Sequence, residues 1–177
     1  VEPVTPDDVS ALKTPEAVAG YADPQERPPF LPYLAFMGIF GTLVSTALAI
    51  AHRQGRELPA KIGASELMLV GTASHKLSRL ISKDKVTSPI RAPFTELEGK
   101  GGPAELEERS RGSGFQKAIG ELLICPYCLG LWVVAGFSVG LIFAPRVTRF
   151  VASLFSALTI SDFFQIAYKA AEEKGLG

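Results

Sequence analysis

Residues Pro32 to Ala51 form a run of twenty without a single charged side chain. That length matches the roughly 20 apolar residues an α-helix needs to cross the hydrocarbon of a bilayer. Gly38, Gly41, Ser45 and Ala49 lie near one face of such a helix, a small-residue stripe suited to close packing against another helix. The basic patch His52-Arg53-Gln54-Gly55-Arg56 ends the run.

Three further spans are expected near 59–81, 126–144 and 147–169. The second is the weakest, because Glu66, His75, Lys76 and Arg79 interrupt it. An ionisable group facing lipid costs on the order of 2.5–3.5 kcal/mol at the bilayer centre on insertion scales. Lys76 is therefore expected to snorkel to the headgroups, and Arg79 to turn into the bundle. Residues 59–81 either span the bilayer or lie at its surface. In the third span, Gly136 and Gly140 mark a second close-packing face.

Between the spans, residues 82–117 read as a polar connection punctuated by proline and glycine. Thr95–Glu98 and Ala104–Glu107 flank Gly99-Lys100-Gly101-Gly102-Pro103, which predicts either a short β-hairpin or an irregular loop. Residues 1–31 are acidic and proline-rich and lack the apolar stretch of a secretory signal, so a solvated tail is expected there. Helix starts stand at Asp7-Asp8 and Thr14-Pro15. The fold class is an all-α integral membrane protein with about four transmembrane helices, residues 32–177, behind this tail.

Composition supports that class: 47% of the 177 residues are hydrophobic and the mean hydropathy is +0.22, although 20% are charged. Zero net charge leaves no basic field for nucleic acid. With four spans, eleven lysines and arginines fall on the side of the termini and the central connection, against five opposite. By the bias of positive charge towards the cytoplasm, both termini and the connection are expected to be cytoplasmic, in a bacterial cytoplasmic membrane.

Arg79, Glu121 and Asp162 lie at or within spans, where an unpaired charge is costly, so Arg79 is expected to pair with Asp162, or failing that with Glu121. Such pairs either fix helix register or belong to a proton or ion path.

Both cysteines of the chain stand in Cys125-Pro126-Tyr127-Cys128, at the mouth of the third span. The order of segments excludes a soluble glutaredoxin, whose Cys-x-x-Cys follows an early strand. Three readings remain. A first thiol near the N–H groups of a helix start suits a membrane dithiol. Zinc or iron needs more ligands than the pair supplies, so a partner would complete the site. The third reading is two small apolar residues packed at a helix entry.

Three blocks carry a resemblance: Ser78 to Lys85, then Arg91-Ala92-Pro93-Phe94, then Gly120 to Leu123 with Cys125, Cys128, Gly130 and Trp132. In this order they resemble a bacterial membrane family known only as domain of unknown function 1360. The likeness runs from about Glu66 to Ala170, leaving the tail and first span outside. Arg79, Asp84, Arg91, Glu121, Cys125, Cys128 and Trp132 match its pattern. The resemblance implies a small integral membrane protein and brings no activity, substrate or cofactor.

There is no Ser/His/Asp grouping, phosphate-cradling glycine loop or metal quartet. The expected function is that of a non-catalytic accessory subunit, in contact with lipids and other integral membrane subunits. The alternatives are a thiol-redox or metal-binding membrane protein using Cys125 and Cys128, and thirdly a small ion or proton translocator.

Overall fold

The computed structural model describes residues 28–175. The tail and the helix starts expected at Asp7 and Thr14 lie outside them. Proline and glycine set the main helix ends. Helix α1, Phe30–Arg53, follows Pro28-Pro29. Helix α2, Ala64–Ser82, starts after an extended Gly63. Helices α5, Pro126–Phe143, and α6, Pro145–Gly175, each open on a proline, whose fixed φ and missing N–H suit the first helical position.

The segment expected at 59–81 is thus helical only from Ala64, because Pro59 to Gly63 holds the chain out of helix. Among the described residues, three helices are long and apolar enough to cross a membrane: α1, α5 and α6. Glu66, Lys76 and Arg79 keep α2 out of that group.

The polar connection is ordered. A 3₁₀ turn at Lys85–Thr87 leads into the short helix α3, Ser88–Arg91. Strands β1, Thr95–Lys100, and β2, Leu106–Ser110, form an antiparallel hairpin, Thr95 opposite Ser110 and Lys100 opposite Leu106, with a bulge between Leu97 and Gly99. The second strand starts later than Ala104, which takes a φ of +62° in the turn. Helix α4, Gly114–Ile124, was not expected as a separate element; extended Cys125 divides it from α5.

Side-chain contacts give the direction of each helix. Along α1 and α5, Phe40 packs edge-on against Trp132 at 5.2 Å, and Arg56 donates to the carbonyls of Ile142 and Phe143. The two helices therefore run the same way, and Arg56 satisfies carbonyls at the α5 terminus that have no partner within the helix. Along α2 and α6, Arg149 meets Glu66 at 2.9 Å and Lys76 meets Asp162 at 2.7 Å, so these also run together. The short α5–α6 link reverses direction between the pairs.

Helix α2 lies between α5 and α6. Ala73 and Ala152 are fully buried with Phe137 between neighbours Leu69, Leu77, Val133 and Phe155. Small alanines let the backbones approach, and hydroxyls bridge them: Thr72 donates to Ser156 at 2.8 Å, Ser156 to the Leu69 carbonyl at 3.0 Å, and Thr159 to the Thr72 carbonyl at 2.9 Å. Such bonds between helices hold where the hydrophobic effect between apolar neighbours is weak.

Candidate functional site

Two clusters of chemistry-bearing residues gather at the end of the bundle where α2 terminates and α5 begins. The first ties the hairpin to α2. Lys85 N–H donates to the Ala104 carbonyl and Leu106 N–H to that of Lys83, so the chain leaving α2 pairs with the hairpin. Arg91 is fully buried beneath this junction. Its Nε donates to Glu108, and its Nη1 to the carbonyls of Ile81 at 2.7 Å and Asp84 at 3.1 Å and to Thr87 Oγ1 at 2.8 Å. A fork of fixed donors is suited to this work, where a lysine would supply one compact charge. Nη2 has no hydrogen-bond partner. Thr87 and Arg91 face inward, whereas Val86 and Ile90 on the same turn are exposed.

The pairing of charges differs from expectation. Arg79 meets neither Asp162 nor Glu121; its guanidinium grips both Glu105 oxygens, at 2.5 and 2.8 Å. Asp162 is held instead by Lys76, whose side chain is only 16% exposed. Lys76 thus turns into the bundle and Arg79 out towards the hairpin, the reverse of the snorkelling assignment. The reason is register: Asp162 faces α2 at Lys76, in the turn before the last, and the hairpin brings Glu105 back over the last turn. Asp84 sits among Lys76, Arg79, Glu105 and Asp162. Burial raises its carboxyl above the ordinary value, Glu105 and Asp162 add to that, and the two cations oppose it.

The second cluster joins α1, α4 and α5. Glu121 accepts a hydrogen bond from the Tyr33 hydroxyl of α1, and Lys117 lies 4.0 Å away on its own helix. Its partner is a residue outside the motif blocks. One turn on, Cys125 caps α5: its Sγ accepts the Cys128 N–H at 3.2 Å, with Pro126 at the first helical position between them. This is the usual N-cap arrangement, with sulfur in place of a serine oxygen. Both thiols are free, Cys128 exposed and Cys125 half-buried. Among the described residues, no group of three or more His, Cys, Asp and Glu is arranged to hold a metal ion.

The candidate packing glycines divide. A Cβ on Gly140 would lie 2.7 Å from Thr148 Oγ1 of α6, so this glycine permits a close approach within the chain. At Gly38, Gly41 and Gly136 an added Cβ would meet nothing within 4 Å among the described residues. Sequence reasoning missed Arg91 as a buried anchor, and only its place in the second motif block pointed to it.

The described residues define a mostly helical protein with three helices long and apolar enough to cross a membrane and a small hairpin fastened to one end. The chain belongs to the family described as protein of unknown function (DUF1360), whose model matches residues 69–168. That range is close to the Glu66–Ala170 read from the motifs, and α1 lies outside it. The chain is also 35% identical over 79 residues to the sporulation protein YjcA of Bacillus subtilis (strain 168). The matched stretch is 43% of this chain and 66% of that protein, so the chain spans just under two thirds of its relative. No solved structure matches.

Proposed function

We propose that the protein is an integral membrane protein whose helices α1, α2, α5 and α6 cross the bilayer, and that it serves as a non-catalytic component packing against other membrane subunits. The apolarity of three helices supports the first part: only 6, 11 and 17% of the best windows of α1, α5 and α6 is buried within the chain. Surfaces so apolar and so exposed need lipid or protein around them. The directions of the helices support four crossings, since α1 and α5 run one way and α2 and α6 the other. On this reading α2, the most polar crossing, turns its hydroxyls and Lys76 towards α6. The termini and hairpin share one side, which positive charge assigns to the cytoplasm.

The observation that carries the subunit role is on α1, which packs on α5 through Phe40 and leaves Gly38 and Gly41 open. Small residues that no described helix of the chain approaches suit a helix from another protein. The experiment is extraction of the chain from its native membrane in mild detergent. The expected result is a complex larger than the monomer, disrupted by Gly38→Leu with Gly41→Leu while the chain stays folded. A monomer without companions would refute the subunit role. Extraction into the soluble fraction by carbonate wash would refute the membrane assignment.

A further inference from the structure

We propose that Cys125 and Cys128 form a reversible dithiol–disulfide couple that exchanges with low-molecular-weight disulfides. This goes beyond the subunit role and rests on the joint between α4 and α5. Cys125 is extended, with φ −99° and ψ 103°, so its side chain folds back across the first turn of α5. Its sulfur lies 3.2 Å from the Cys128 nitrogen, on the first turn of the same helix. The Cys125 sulfur is therefore held against the backbone of the residue that carries the second thiol. Forming an S–S bond sacrifices only the bond that the Cys125 sulfur accepts, because the first N–H groups of a helix have no intrahelical partner. The Tyr33–Glu121 bond ties α1 to α4 one turn before this joint. Access is open: Cys128 is exposed, and Tyr127 beside it is 91% exposed.

The exchange balances in two steps. Cys128, deprotonated by solvent base, attacks one sulfur of an incoming disulfide; that S–S bond breaks, releasing one thiolate and leaving a mixed disulfide on Cys128. Cys125, deprotonated in turn, attacks the Cys128 sulfur, and the second thiolate departs. The dithiol has lost two electrons and two protons, and the incoming disulfide has become two thiols. A dithiol reductant runs the sequence backwards.

Trp132 reports the state. It is the only tryptophan of the chain, one turn beyond Cys128 on α5 and packed on Phe40. The test is a redox titration of the full chain in detergent micelles with glutathione and glutathione disulfide, read by Trp132 emission and by mass after alkylation. The expected result is one reversible transition to a monomer lighter by two hydrogens that resists alkylation, with the emission following the same midpoint. Cys125→Ser and Cys128→Ser should each abolish the transition, and Cys125→Ser should instead retain glutathione on Cys128. Thiols that stay alkylatable in the most oxidising mixture would overturn the proposal. So would oxidation that ends only in doubly glutathionylated protein or cross-linked dimers. These outcomes are independent of whether other subunits co-purify.

Discussion

Arg91 and Glu108 form an ion pair in which both side chains are buried, 0 and 6% exposed, at the point where the hairpin crosses the end of α2. The guanidinium also reaches back to carbonyls on both sides of the α2 terminus, so one side chain binds strand, turn and helix together. Removing one member leaves the other charge buried without a partner, which costs about 3–5 kcal/mol, far more than an exposed pair contributes. Arg91→Met should therefore destabilise the chain by that order. Arg91→Met with Glu108→Leu should recover much of the loss. Chemical denaturation in micelles measures both, and equal stability of Arg91→Met and the parent would contradict the buried pair.

Gly120→Ala reverses an ordinary rule. In a helix interior alanine is favoured over glycine by roughly 0.5–1 kcal/mol. Here the new methyl would lie 2.4 Å from the Phe94 carbonyl oxygen and 3.2 Å from the Ser110 Cα, and backbone cannot swing aside. The variant should lose about 1–3 kcal/mol, the usual cost of overpacking. Amide exchange in Thr95–Ser110 should accelerate, because the clash separates α4 from the base of the hairpin. Unchanged exchange there would argue against this contact.

Asp84 gives the end cluster a pH dependence. Its carboxyl holds a proton more tightly in the folded chain than in the unfolded one. Its contribution to stability is therefore fully present below the ordinary carboxylate pKa and is lost as pH rises through the raised folded value. Asp84→Asn should melt higher than the parent at neutral pH, by no more than about 4 °C, and the difference should shrink as the pH falls into the acid range. Thermal scans across pH test this, and a variant that melts lower at neutral pH would contradict the sign. The comparison is made between variant and parent at each pH.

Much of the architecture was legible because local chemistry set it. The uncharged run after Pro32 and Pro126 at a helix start place α1 and α5 within a few residues, whereas α6, read as 147–169, starts at Pro145 and continues to Gly175. The glycines and Pro103 left a hairpin and an irregular loop equally open, and the pairing of Thr95 to Lys100 with Leu106 to Ser110 decides for the hairpin. The partners of charges were not legible. Whether Arg79 meets Asp162 or Glu105 depends on how α6 slides along α2 and where the hairpin folds back, and neither is written in the spacing of residues. The same holds for Tyr33 and Glu121, which are 88 positions apart. Helix α4 was hidden because it runs into α5 without a break in apolar pattern, and only extended Cys125 separates them. The cysteine pair could be located from sequence, but its capping geometry could not.

If α2 and α6 cross the bilayer as proposed, the two ion pairs between them have a mechanical consequence for it. From Glu66 to Lys76 is ten residues and from Arg149 to Asp162 thirteen, which at helical rise separate the charge layers by about 15–20 Å. The uncharged stretch of α1 from Phe30 to Ala51 is about 33 Å tall. Hydrocarbon about 30 Å thick fits α1 but exceeds the band between the charge layers of α2 and α6. Lipids on that flank would have to shorten or admit water, and the protein would act as a wedge that thins the membrane on one side.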